Sequence, residues 1–249
     1  MRIAYTNLID SLDTSSCTAL TTLTGFPITN VQDERLTRKW KSSTATIQTA
    51  TFHLASTSTV NTVAIIGHNI TSTCTVNISA NASDSWGSPS FTTALTFIDT
   101  DLMLLKFITD QTYEYWQFSF SGQASLEIGR LWLSSYSTID PSSNIDFSVK
   151  VKRSDVVNFG RNRQKFASPG VSWRQFTLSF PPVSHSAVSV IKNIYDTVGN
   201  YSAIIFCNFD TSRTYELVDP CYCIINDEMD FGHSRSMKFS YNLTLEEIL

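Results

Sequence analysis

The chain has 249 residues, is 42% hydrophobic, carries charge on only 16% of its positions and has a net charge of -4. That is enough apolar material for one large or two ordinary domains, while Ser, Thr and Asn take the place of the roughly 25% charged residues usual in soluble domains. The charge balance gives no electrostatic basis for nucleic acid as a ligand, and no apolar run approaches the ~18 residues that span a bilayer.

The opening MRIAYTNLID lacks the apolar stretch of a secretory signal, so synthesis and retention in the cytosol are expected until assembly or lysis. NVQDERLTRKWKSS then places Asn30, Asp33, Leu36 and Trp40 at fixed offsets. Six short segments follow: TFHLAS, VNTVAIIGHN, TCTVNISAN, LLKFIT, YEYWQFSFS and EIGRLWLSS. They are rich in β-branched and aromatic residues and are bounded by Ser, Asn, Asp and Gly, the signature of strands. In YWQFSFS, Trp116, Phe118 and Phe120 share one face, and Tyr115, Gln117 and Ser119 share the other. In EIGRLWL, Ile128, Arg130 and Trp132 alternate with Gly129, Leu131 and Leu133. With Leu131 and Leu133 inward, Gly129 marks a bulge or a close approach under a neighbouring large side chain, and Arg130 and Trp132 form an outer patch, near enough to stack. Short, evenly spaced strands without helices predict an antiparallel jelly-roll sandwich over residues 1–137.

The texture changes at SSYSTIDPSSNIDFS, the best linker in the chain. DFSVKVKRSDVV, a basic loop NFGRNRQKFASPG and SWRQFTLSFPPV then read as strand, tip and strand of an extended hairpin. One helix follows, capped by His185 or Ser186, with Val188, Ile191, Ile194, Tyr195 and Val198 at helical spacing and Gly199 as its stop. YSAIIFCNF, CYCIINDEMDFG and MKFSYNLTLEEI return to strand character. Residues 138–249 therefore predict a β-sandwich or barrel with one flanking helix, and the whole chain is all-β.

Little in the residues points to catalysis. Hydrolysis needs a nucleophile with a base, or two placed carboxylates, yet His53, His68, His185 and His233 lie in unrelated contexts. No G-x-S-x-G, H-E-x-x-H or P-loop occurs, so no enzymatic activity and no cofactor are expected. Asp227, Glu228 and Asp230 do not fit calcium-loop spacing and read as a solvated turn. Cys221-x-Cys223 lacks a second ligand pair, so buried free thiols are favoured over metal for the five cysteines. Five N-x-S/T triplets are what a chain rich in Ser, Thr and Asn produces by chance. The basic loop is more telling: Arg161, Arg163 and Lys165 sit among Phe159 and Phe166, with Trp173 just beyond. Aromatics beside arginine are typical of protein interfaces, and sequence-independent contact with DNA along a lumen is a second use of the same charge. For a sugar, the candidates are Trp86, in the loop NASDSWGSPS, and His68 with Asn69 in another loop.

The ordered set formed by the Asn30–Asp33–Trp40 entry, VAIIGHN, YWQFSF and EIGRLWL resembles the discoidin-type, galactose-binding-like jelly roll. It is most similar to the version found in tail proteins of tailed bacteriophages, over residues 28–135. SWRQFTLSFPPVS followed by an amphipathic helix resembles the tail-tube fold shared by tube, distal-tail and adaptor proteins. The resemblance implies a distal-tail or baseplate protein of the virion, made in the host cytoplasm. It also implies a homo-oligomeric ring, sixfold or threefold, with tube and tip or hub proteins as partners, transient DNA passage through the lumen and no membrane insertion. The alternative implied by the jelly roll is a receptor-recognition protein that binds host cell-surface glycan.

Overall fold

The computed structural model describes residues 1–95, 103–139, 146–159, 161–208, 220–226, 231–234 and 238–248. In the first half the strands are β1 (Arg2–Ala4), β2 (Cys17–Ala19), β3 (Trp40–Lys41), β4 (Ile47–His53), β5 (Val60–His68), β6 (Thr75–Asn81), β7 (Phe91–Leu95), β8 (Met103–Gln111), β9 (Tyr115–Ser121) and β10 (Glu127–Ser134). The second half has β11 (Tyr136–Thr138), β12 (Asp146–Arg153), β13 (Val156–Phe159), β14 (Lys165–Ser168), β15 (Ser172–Ser184), helix α1 (His185–Val198), β16 (Ile204–Cys207), β17 (Cys221–Ile225), β18 (Phe231–Ser234) and β19 (Lys238–Glu247). Among the described residues the chain is all-β apart from α1 and two short 3-10 turns, and it divides into two compact units, Ala4–Ser137 and Met1–Ile3 with Thr138–Leu249. The first three residues thus belong with the second half: β1 pairs into its sheet, beside β16.

The unit Ala4–Ser137 is an antiparallel sandwich. One sheet runs β3-β10-β5-β8 and the other β2-β4-β9-β6-β7. Between them lies a core that includes Trp40, Phe52, Val63, Ile65, Phe118 and Leu131, drawn from both sheets. The period-2 pattern of YWQFSFS places Trp116, Phe118 and Phe120 in that core, fully buried. Each buried side chain of this size stabilises the fold by about 1.5–3 kcal/mol, and the core tryptophans also bond their ring N–H groups: Trp40 Nε1 donates to Thr21 O (3.2 Å) and Trp116 Nε1 to Tyr113 O (3.0 Å).

The pairing of β10 with β5 explains the glycine in EIGRLWL. In the antiparallel register Ile128 faces His68 and Arg130 faces Ile66, which sets Gly129 opposite Gly67. A methyl group on Gly129 would sit 2.9 Å from Leu36 O and 3.2 Å from Ile66 O, and one on Gly67 would sit 3.3 Å from Leu36 Cβ. A close approach exists at Gly129, but what approaches is the backbone at Leu36, in the 33–39 loop, and at Ile66, not the expected large side chain. Ile128 joins the core together with Leu131 and Leu133, so simple alternation fails across Gly129; Gly67 opposite has φ +64° and interrupts the pleat.

The other unit is one open sheet, β11-β1-β16-β17-β19-β15-β12, with β18 pairing β19. Among the described residues it ends on β11 and β12 and does not close into a barrel. Helix α1 packs on β15 and β19 through Val188, Ile191, Ile194 and Val198, all buried. Its cap lies one residue before the expected candidates: the Ser184 hydroxyl accepts from Ala187 N (3.4 Å), and Gly199 with φ +58° ends the helix. All five cysteines are free and buried. The linker residues 140–145 and the Asp227, Glu228 and Asp230 cluster lie outside the described residues.

Candidate functional site

The extended hairpin of the second unit is built in two stages. β12 and β15 pair from Asp146 with Ser179 to Arg153 with Ser172. The chain then bends, and β13 pairs β14 as a separate two-stranded arm, from Val156 with Ser168 to Phe159 with Lys165. The bend is tied down locally: Gly170 N donates to Asp155 Oδ1 (2.7 Å) and Val171 N to Ser154 Oγ (3.0 Å). Gly170 is required there, since a Cβ would lie 2.4 Å from the Ser154 carbonyl carbon.

Every residue of both arm strands is exposed. Phe159 is 69% exposed and Phe166 55%, with Val156 and Val157 beside them. Arg161 and Arg163 occupy the turn between the two strands, and Lys165 opens the second. Five of the six residues expected at an interface are therefore presented together, on a tip with no buried residue in either strand. Trp173 differs. It lies at the base, half-buried, and its Nε1 donates to Glu246 Oε1 at 2.5 Å, which ties β15 to β19. Next to it Arg174 grips Glu247, with Nη2 to Oε1 at 2.6 Å and Nε to Oε1 at 3.0 Å.

In the jelly roll the candidate sugar residues separate. His68 ends β5 and Asn69 opens the loop that precedes β6, whereas Trp86 lies in the loop that follows β6. The seven residues of β6 put the two loops at opposite ends of the strand, on the order of 20 Å apart at ~3.3 Å per residue. His68 and Asn69 are also engaged internally. Asn69 Nδ2 donates to Ser125 O (3.0 Å), while its Oδ1 accepts from Glu127 N (2.8 Å). His68 Nδ1 accepts from Ile70 N (3.1 Å), and burial, with the positive charge of Lys39, lowers the imidazole pKa to about 4. These two residues fasten a loop. Trp86 is half-buried, and its Nε1 donates to Asp84 Oδ1 (2.7 Å), which fixes the ring within its loop.

The outer Arg130–Trp132 patch is corrected by the structure. The stack exists, with the guanidinium carbon 5.1 Å from the indole centre, but neither residue is on the surface: Arg130 is 0% and Trp132 1% exposed. The segment after β1 lies along β10. Leu8 N donates to Leu133 O (2.9 Å) and Asn7 Nδ2 to Leu131 O (3.0 Å). Asp10 then reaches Arg130 Nη2 at 2.5 Å, with Glu34 at 3.9 Å. Strand periodicity sets which residues share a face but has no signal for a buried pair with a residue 120 positions away, as between Arg130 and Asp10.

The face that Tyr115, Gln117 and Ser119 share is the outward face of the five-stranded sheet. Register sets three ranks across it: His53–Tyr115–Asn81, Thr51–Gln117–Ser79 and Thr49–Ser119–Asn77. The His53 and Tyr115 rings stack, 4.2 Å apart and 6° from parallel. Gln117 Nε2 donates to Thr51 Oγ1 (3.1 Å), and the Ser79 and Thr92 hydroxyls bond at 3.0 Å. The legible signal was every second residue of three strands being polar yet uncharged.

No protein-family model matches the chain, and no curated protein sequence matches it. Among solved structures it is similar to a fucose-binding module of Streptococcus pneumoniae, at 10% identity over 53% of this chain and 99% of that one, TM-score 0.44. It is also similar to chitosan-binding module 1 of a chitosanase/glucanase from Paenibacillus sp. IK-5, at 18% identity over 52% and 99%, TM-score 0.41. A third is the lectin domain of Lectinolysin, complexed with Lewis B antigen, at 10% identity over 51% and 95%, TM-score 0.44. At these identities and TM-scores the likeness extends to no ligand and no function of this chain.

Proposed function

We propose that this is an assembly protein, whose second unit docks on another copy of the chain through the β13–β14 arm. The observation that carries this reading is the arm itself: two strands with every residue exposed, bearing Phe159 and Phe166 among three basic side chains. A two-stranded ribbon is marginal alone in water, and exposed aromatics beside arginine become useful once a partner desolvates them. The edge at β12, eight residues long and open among the described residues, gives a second place for edge-to-edge pairing. By the resemblance described above, the setting that fits is a distal-tail or baseplate ring of a tailed bacteriophage, sixfold or threefold, joining tube to tip around passing DNA. The test is to image the purified protein by electron microscopy and weigh it by light scattering. Rings are expected from the wild type and dispersed single copies from Phe159→Ser/Phe166→Ser. A wild type that stays single at high concentration would sink the reading.

A second reading, binding of host cell-surface glycan by the jelly roll, is favoured by the half-buried Trp86 held in its loop by Asp84. The carbohydrate-binding proteins among the solved structures go with this reading and not with the first, though their TM-scores give them no weight in the choice. Its test is loss of glycan binding in Trp86→Ala.

A further inference from the structure

We infer that the outward face of the five-stranded sheet is a binding track for a neutral polysaccharide chain, resting on the second reading above and relocating its site from the loops to the sheet. The chemistry of the face selects the occupant. Its outward positions on β2, β4, β9, β6 and β7 are Thr, Ser, Asn, Gln, Ala, Ile, His and Tyr, and among these described residues there is no Asp, Glu, Lys or Arg. A soluble surface carries roughly 25–35% charged residues, so a sheet face without any is a departure even for this weakly charged chain. Lys106 reaches β7 from the other sheet, but its ammonium is spent on Thr93 Oγ1 (2.6 Å) and Ala94 O (2.7 Å).

The face therefore offers amides and hydroxyls, which both donate and accept hydrogen bonds. A charged ligand would lose its hydration without meeting a counter-charge. An apolar protein surface would leave the Asn, Gln and Thr groups unsatisfied. A neutral sugar chain matches the donor and acceptor pattern and carries no charge to desolvate. The face also has the one further element such a ligand needs. The Tyr115 ring has one side covered by His53, and its other side lies toward Asn81 in the same rank. It forms an aromatic wall over a polar floor of Gln117, Ser79 and Asn77, all but Ser79 half-exposed. Adjacent strands lie ~4.8 Å apart, so the ranks spread polar groups over the width of a pyranose chain. The fixed pair Gln117–Thr51 gives the floor a set geometry before binding.

The experiment is native affinity electrophoresis of the full chain through gels containing dextran, mannan or hydroxyethylcellulose, with polygalacturonate as the anionic control. Retardation by at least one neutral polymer is expected, with Tyr115→Ala and Gln117→Lys each weakening it tenfold or more. Circular dichroism melts check folding, and Gln117→Ala decides should the tyrosine variant unfold. Retardation lost in Trp86→Ala but unchanged in the Tyr115 and Gln117 variants would overturn the track while leaving the loop reading intact. No retardation by any neutral polymer would sink the track, as would preference for polygalacturonate, while the loop reading stands or falls on its own Trp86→Ala test.

Discussion

At the scale of single residues, two positions set clear expectations. Gly129 is walled by backbone on two sides, with carbonyl oxygens 2.9 and 3.2 Å from where a Cβ would sit. Backbone cannot swing aside as a side-chain end can, so Gly129→Ala should cost about 1–3 kcal/mol in urea unfolding. Gly87, with nothing within 4 Å, is the matching control, and Gly87→Ala should stay within about 0.5 kcal/mol. His68 gives a pH dependence. Its pKa in the fold is lowered to about 4 from 6.5, so between those values the unfolded chain binds the extra proton. The contribution of neutral His68 is complete above pH 6.5 and is lost as pH falls toward about 4, on the order of 2 kcal/mol. Protonation also takes the lone pair that accepts from Ile70 N. His68→Asn keeps an acceptor at that place but does not titrate. The wild-type minus variant stability should therefore fall across this window; a flat difference would show His68 to be solvated.

At the scale of elements, β15 is held to β19 by ion pairing as well as by backbone. Arg174 and Glu247 are 20% and 13% exposed and meet through a two-pronged contact. Glu247→Gln removes one charge and leaves the other largely desolvated, which should cost about 2 kcal/mol in chemical denaturation. Ser184→Ala should cost less, about 0.5 kcal/mol, at the low end for an N-cap because its bond to Ala187 N is long at 3.4 Å. The arm behaves differently from both. Phe159 and Phe166 are largely exposed in the single chain, so their replacement by Ser should shift the melting temperature by only about 1–2 °C while removing the proposed self-association. A large fall in melting temperature would mean that the arm packs on its own unit.

At the scale of the whole molecule, charge is unevenly placed. Residues 150–165 hold six basic and one acidic side chain, a net of +5, while the chain as a whole is -4, so the remainder carries -9. On the proposed assembly, copies joined through the arm would set a basic tip against an acidic body, a head-to-tail contact of the kind that can close into rings. Exposed charges are screened beyond about 10 Å at 0.1 M salt. The association rate should therefore fall as sodium chloride is raised from about 50 to 500 mM, read by sedimentation velocity or light scattering, while the Phe159 and Phe166 contacts persist.

The sequence by itself determined the all-β class, the helix and its apolar stripe, and the inward set Trp116, Phe118 and Phe120, because those properties live in local periodicity and local sterics. It located the exposed tip, because six cations and two phenylalanines in a neutral chain are a compositional event. Only the tertiary structure decided that Arg130 and Trp132 are buried and that Asp10 pairs with Arg130, that Trp173 is bonded to Glu246, and that Trp86 stands at the far end of β6 from His68 and Asn69. It also decided that the sheet of the other unit stays open among the described residues and that three uncharged ranks line up across β4, β9 and β6. Each of these depends on which strand lies beside which. That is set by contacts between residues far apart in the chain, as between Asn7 and Leu131, 124 positions apart, and no local window of the chain contains both partners.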